Sequence, residues 1–372
     1  MPDPPLPRVG GEGRGEEDRN PLTILQIAYP FSPASPDAVG GAEQILSAID
    51  HALTEAGHRS LVIADERSTV AGTLLPIPAF SGRSIERADR TRAHAAIRAA
   101  TRAALNRYPI ELVHLHGLDF PAYLPPPGPP VLITVHLPPS WHAPGALSPS
   151  RPGTFLHAVS TAADTALREI TGHPDILPPI PNGVPIHAFG QAPHARRSFA
   201  LCLGRVCPEK GQHLALDAAA SAGIPLLLAG EVFPYAAHQS YFEAEIRPRL
   251  RLPHRWLGPA SFARKRRLLA AARCVLIPSL APETSGLVAM EAAASGTPVI
   301  AFPAGALRDT VRHGTTGFLV NDTAEMAAAV RRTGEINPDT CRRVAREWFS
   351  LMAMTNAYLA RYRELARVAV PA

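Results

Sequence analysis

From Thr23 onward, short apolar runs alternate with longer segments in which apolar residues recur every three or four positions. That alternation predicts buried parallel strands joined by crossover helices. The first series reads TILQIAY (23–29), a helix over 41–56, SLVIA (60–64), a helix from about 85 to 106, LVHLH (112–116), VLITVH (131–136) and FLHAVS (155–160). A polar, turn-rich break follows near 186–197, and the alternation restarts at Phe199 with FALCLG, PLLLAG, RWLG, CVLIP, PVIAF and GFLV, each run separated by a helical segment. No hairpin signal interrupts either series, so the fold class is α/β with two doubly wound, Rossmann-like domains. Their expected extents are 21–190 and 191–349. A last helix, near 350–367, places Leu351, Met354, Tyr358 and Tyr362 about one face.

The stretch 274–302, CVLIPSLAPETSGLVAMEAAASGTPVIAF, is a βαβ unit with two carboxylates at its opening. Val275 to Ile277 reads as a buried strand, Gly296 as the residue after a helix end, and Pro298 as a block to its continuation. Such a helix start faces the crevice beyond the strand ends, where free N–H groups and partial positive charge suit a phosphate. Glu283 and Glu291 lie eight positions apart, at most roughly 12 Å along a helix axis, so the pair can bracket a phosphate and accept from sugar hydroxyls. Upstream, SFALCLGRVCPEKGQ (198–212) repeats the layout, with Arg205 and Lys210 flanking a Cys-Pro-Glu turn. The chain holds two lysines, Lys210 and Lys265, and a lysine kept in this turn suggests a compact point charge.

Composition narrows the classes. A chain of 372 residues, 46% apolar, can bury two separate cores. The net charge of +5 is too weak to demand nucleic acid, though it is compatible with a nucleotide or an anionic membrane surface. Residues 1–20 read as a disordered tail without a signal-peptide core, and no run approaches a membrane span. Cys202, Cys207, Cys274 and Cys341 form no C-x-x-C pair and read as buried, reduced thiols of a cytosolic protein.

Together with Gly40-Gly41-Ala42-Glu43, His136 and Ile180-Pro181-Asn182-Gly183-Val184, these segments closely resemble the retaining family 4 glycosyltransferases from about Thr23 to Tyr362. The resemblance implies the GT-B architecture: an N-terminal acceptor-side domain, a C-terminal nucleotide-sugar-binding domain facing it across a central cleft, and a helix at 350–372 packing back on the first. It implies catalytic roles for His136, Arg205, Lys210 and Glu283, and donor contacts at Gly41, Gly286, Leu287 and Glu291. Glu291 would hold the ribose hydroxyls, Glu283 would approach the transferred sugar, and the N–H groups of Gly286 and Leu287 would meet the phosphate. No cofactor is expected beyond a nucleotide-diphosphate sugar as co-substrate, with a UDP-sugar ahead of a GDP-sugar. No D-x-D sequence occurs, so the cations of Arg205 and Lys210 stand in for a metal clamp and transfer is expected to be metal-independent.

Two positions depart from the family's usual pattern: Ser285 stands where an aromatic is usual and Asp309 where a glutamate is. Trp141, in the long Pro-rich loop 137–153, is an acceptor-stacking candidate, and the base pocket is expected near Gly230-Glu231 and Leu257-Gly258. Glu43 reads as an acid capping the first helix, Asn182-Gly183 as a turn near the hinge, and His114 and His116 as packing or positioning residues, since zinc-ligand spacing is absent around them. The run Arg264-Lys265-Arg266-Arg267 reads as a solvated helix face, with weak peripheral contact at the inner face of a membrane as the minority reading. The expected acceptor is a small molecule, a glycan or a lipid-linked sugar, and nucleic acid is not an expected partner. The alternatives are a nucleotide-sugar epimerase or phosphorylase on the same frame, or an idle nucleotide- or glycan-binding partner.

Overall fold

The computed structural model describes residues 20–82, 84–171, 176–190 and 198–368. The expected tail over 1–20 therefore lies, apart from Asn20, outside the described residues, as do the linker positions 191–197 and the last four residues.

The first sheet contains β1 (Thr23–Ile27), β2 (Arg59–Asp65), β3 (Thr73–Ile77), β4 (Leu112–Leu115), β5 (Val131–Val135) and β6 (Thr154–Ala158). Its order is β3-β2-β1-β4-β5-β6, with every pairing parallel. Helices α1 (Gly41–Glu55), α2 (Arg87–Arg107) and α3 (Thr161–Thr171) belong to it, and the short α4 (Ile186–Gly190) follows. The second sheet contains β7 (Ala200–Leu203), β8 (Leu226–Ala229), β9 (Arg255–Trp256), β10 (Cys274–Ile277), β11 (Val299–Ala301) and β12 (Gly317–Leu319), ordered β12-β11-β10-β7-β8-β9. Its helices are α5 (Gln212–Ser221), α6 (Ala236–Tyr241), α7 (Phe262–Ala271), α8 (Leu287–Ala294), α9 (Leu307–Thr310), α10 (Thr323–Arg332) and α11 (Pro338–Trp348). The strands are near-continuous apolar runs because both sheet faces are covered by helices: every residue of β1, β4, β5 and β10 is buried.

The two sheets share one strand order. In each, the order reverses between the first and fourth strands, and such a switch point opens a crevice at the carboxyl ends of the strands. The loops after β1, β4 and β5 meet the loops after β7 and β10 across a shared cleft.

Three features differ from the sequence reading. Strand β3 was absent from the expected series, because its sequence, TLLPI, is half-exposed and carries Pro76. A proline is tolerated in such an edge strand. The expected first domain extends to 190 and the break near 186–197 is read without a helix, yet α4 lies there and Val184 and Phe189 are buried in the second domain's core. The chain thus enters the second core before the expected boundary at 190. Lys265, expected on a solvated face, turns inward with a side chain only 13% exposed.

The last helix, α12 (Leu351–Ala366), begins at the cap Ser350, whose Oγ accepts from the N–H of Ala353. Its Met354, Tyr358, Tyr362 and Leu365 are buried beside Ile45, Ile49 and Leu53 of α1 in the first domain. The return crossing runs beside the forward one: Val184 donates its N–H to the Phe349 carbonyl, and Leu351 donates to that of Val184.

Candidate active site

A cavity of about 550 Å3 lies between the two switch points, within the range of ligand pockets. His136, Trp141, Arg205, Lys210, Glu283, Gly286, Leu287, Glu291 and Gly41 all line it. Of the expected base-pocket residues, Gly230 lines it too, while Glu231, Leu257 and Gly258 are not among its walls.

The second-domain side carries paired charges. After β7 the chain turns through Arg205 and a short 3-10 turn at Pro208–Lys210. The Arg205 carbonyl accepts from Gln212 Nε2 at 2.6 Å, which holds the turn against α5. Lys210 Nζ meets Glu283 Oε1 at 2.6 Å, and Ser279 Oγ donates to the same oxygen. Burial alone would raise the Glu283 carboxyl, but Lys210 and these hydrogen bonds hold it below its ordinary value. Lys210 therefore pairs with the loop carboxylate and not with its neighbour Glu209. Among the described residues Arg205 is in no ion pair, and its guanidinium lies 5.7 Å from the centre of the Phe233 ring. On the second-domain side it is the cavity cation not engaged by a carboxylate.

The chain's other lysine repeats the arrangement one helix away. Lys265 Nζ lies 2.5 Å from Glu291 Oε1, with a further contact to Gln44 Oε1 at 3.3 Å in the first domain. Both lysines of the sequence thus sit on the two carboxylates singled out by spacing. The rarity of lysine was the available signal for Lys265, and the arginines around it obscured that signal.

Helix α8 starts at Gly286, whose φ of 73° lies in the left-handed region, a conformation glycine adopts without steric cost. Helix geometry leaves the N–H groups of the first turn without intrahelical partners, and Gly286, Leu287 and Val288 border the cavity. Gly41, at the start of α1, approaches the same point from the other side: a Cβ built on it would fall 2.9 Å from Leu287 Cδ1. Two helix N-termini therefore converge on one region of the cleft.

The first-domain side is rich in histidine, with Asp37, Glu43 and Arg90 also on its wall. His136 follows β5, and its Nε2 lies 3.0 Å from His116 Nδ1, the two rings stacked at 20°. Burial pushes His136 down from its usual 6.5 to about 3. His114, fully buried, contacts Tyr362 OH and Thr134 Oγ1, each at 2.7 Å. Thr134 Oγ1 also contacts His157 Nε2 at 2.7 Å, so a polar network links the cleft to α12. His142, beside Trp141 on the cavity wall, was not singled out in the sequence; both its ring nitrogens are buried without a partner. Glu43 is buried in the first turn of α1, its carboxylate in the space a Cβ on Gly40 would fill. Burial raises that carboxyl against the opposing influence of Arg205.

The loop carrying Glu283 is tied to the first domain. Thr284 Oγ1 donates to the His136 carbonyl at 2.8 Å, and the Thr284 carbonyl accepts from Ser160 Oγ at 2.5 Å. Ser285 accepts from Asn182 Nδ2 at 3.1 Å, both side chains being buried. The position where an aromatic is usual is thus an interdomain polar contact. Asp309, the other departure, is exposed and is not among the cavity-lining residues.

Residues 197–335 match the family model described as Glycosyl transferases group 1. A D-inositol 3-phosphate glycosyltransferase of Mycobacterium marinum is 34% identical over 173 residues, 43% of this chain and 37% of that protein. The chain's alignments span well under half the length of the first curated relatives it matches. Among solved structures, AviGT4, a glycosyltransferase involved in avilamycin A biosynthesis, is 25% identical with a TM-score of 0.68, covering 94% of this chain and 99% of that one. Anabaena HepE in complex with UDP and glucose is similar in fold, with a TM-score of 0.69 at 19% identity over 92% of this chain and 99% of its own.

Proposed function

We propose, from the premise that this chain is a GT-B protein whose residues 197–335 belong to the group 1 glycosyl transferases, that it moves a sugar from a nucleotide-diphosphate donor to an acceptor hydroxyl. The observation that carries this reading is the set of fixed cations, carboxylates and helix N-termini at two facing switch points.

Breaking the bond between the sugar and the diphosphate builds negative charge on the departing oxygen. Donors fixed in place before the reaction stabilise that charge at no reorganisation cost. Arg205 meets the diphosphate as a free guanidinium, Lys210 approaches it while oriented by Glu283, and the N–H groups of Gly286 and Leu287 complete the cradle. Lys265 engages Glu291 Oε1, which leaves Oε2 to accept from the donor ribose. Glu283 and His136 face the transferred sugar. His136 is held neutral by burial, so it offers a hydrogen bond without adding charge beside an electron-poor sugar carbon.

The acceptor enters from the side of Trp141 and His142. Its oxygen bonds to the sugar carbon on the face the diphosphate leaves, its proton passes to the departing phosphate oxygen, and configuration is retained. The charge neutralisation rests on Arg205 and Lys210, so transfer proceeds without a metal clamp. UDP is the preferred leaving nucleotide, in keeping with the UDP held by the structurally similar HepE. No described helix is long and apolar enough to cross a membrane; Arg264 and Arg267, exposed on α7, are the residues through which an anionic surface would be met.

Calorimetric titration of UDP, GDP and ADP, with chelator present, into the parent and into an Arg205→Ala/Lys210→Ala variant tests the proposal. One diphosphate binding the parent and not the variant supports it and identifies the base. No binding to the parent overturns it.

A further inference from the structure

Three side chains at the edge of the cleft have no part in the chemistry above. Cys207 and Glu209 sit on the turn after β7, and His238 sits on α6. A ligand atom from each, a thiol sulfur, a carboxylate oxygen and an imidazole nitrogen, lies within 4.8 Å of the other two. Among the described residues no other group of three or more Cys, His, Asp or Glu side chains has this arrangement. All three residues border the cavity, and Cys207 and His238 are 1% and 7% exposed.

A second observation is independent of that proximity. Glu209 Oε2 and His238 Nδ1 are both buried without a hydrogen-bond partner. A buried polar atom left unsatisfied is costly, and two in one cluster call for an explanation such as a missing ion. A cation accounts for both, because it takes a lone pair from the carboxylate oxygen and one from Nδ1 of the Nε2–H imidazole tautomer at the same time.

We propose that Cys207, Glu209 and His238 form a binding site for a divalent cation of the zinc class, with the fourth position open to the cleft. The ligand set of one sulfur, one nitrogen and one oxygen suits zinc and excludes magnesium and calcium, which prefer oxygen alone. Tetrahedral ligand atoms at zinc bond lengths lie roughly 3.3–3.8 Å apart, so the three groups draw together by at most about 1.5 Å. On binding, the Cys207 S–H bond breaks, the sulfur bonds to the metal and the proton leaves to solvent. Arg205 and Lys210 are the opposing charges: the field of Arg205 reaches all three groups and that of Lys210 reaches Cys207, while Lys210 is itself paired with Glu283. The site stands on its own side chains and does not rest on the donor reading, and transfer remains with Arg205 and Lys210.

Titration of the full chain with Co2+ reads the site directly, because a thiolate ligand gives a charge-transfer band that oxygen and nitrogen ligands do not. The expected result is one equivalent of Co2+ with that band, abolished by one equivalent of Zn2+ and untouched by Mg2+. Cys207→Ser removes the band, Cys274→Ser keeps it, and His238→Gln, conservative in shape, weakens binding tenfold or more. Absence of the band, its survival in Cys207→Ser, its loss to Mg2+, or unchanged affinity in His238→Gln would each overturn the proposal.

Discussion

The two halves of the cleft are built on the same strand order but carry different chemistry. After β7 and β10 the loops present Arg205, Lys210 and Glu283, with Lys265 and Glu291 close behind. After β1, β4 and β5 they present glycine, His116 and His136, with burial holding both histidines neutral. Topology therefore decides where a ligand sits, while the residues just beyond the strand ends decide what kind. On the proposed reading, the half with the paired lysines suits a diphosphate and the histidine-rich half suits a sugar and an uncharged acceptor hydroxyl.

The largest effect separating the halves is expected on turnover. Each fixed donor to the leaving group is worth roughly a hundredfold in rate, so Arg205→Ala/Lys210→Ala should lower kcat/KM by about 10^4, measured as nucleotide release with a saturating acceptor. Next comes the second charge pair, whose side chains are 13% and 4% exposed. Lys265→Met strands the Glu291 carboxylate and should cost about 3–5 kcal/mol in chemical denaturation. The double variant Lys265→Met/Glu291→Gln should recover most of that loss.

Acid acts on the histidine-rich half. Burial lowers His136 and His157 from their usual 6.5 to about 3 in the folded protein. Between these values the unfolded chain binds more protons than the native one, so stability rises with pH across the window and levels off above about 6.5. Denaturation midpoints should fall progressively as pH drops from about 6.5 towards 3, and His157→Gln should flatten that slope if it folds. The smallest effect is expected at the far end of the network, where Tyr362→Phe removes the hydroxyl contacting His114 Nδ1 at 2.7 Å and should cost about 1 kcal/mol.

Much of this arrangement was legible in the chain because it depends on local pattern. Buried strands are continuous apolar runs, and most expected site residues lie in the loop beyond such a run or at the helix start that follows it, with Glu291 one turn further into α8. What escaped depends on tertiary placement. Strand β3 goes unrecognised because an edge strand can be half-exposed and carry Pro76. Lys265 hides among arginines because only the docking of α7 shows which member of the run faces inward. Cys207 and Glu209 meet His238 from two separate elements, and their spacing in sequence carries no metal motif. The same holds for Ser285 and Asn182, whose contact exists only once the domains face each other.

The most direct test of the division between the halves is the dissociation constant of UDP for the parent, for Arg205→Ala/Lys210→Ala and for His136→Gln, measured calorimetrically at neutral pH. The double variant should lose at least a hundredfold in affinity, while His136→Gln should stay within about threefold of the parent, since the account places His136 beside the sugar and not the diphosphate. Equal losses in the two variants, or parent-like binding by Arg205→Ala/Lys210→Ala, would contradict it.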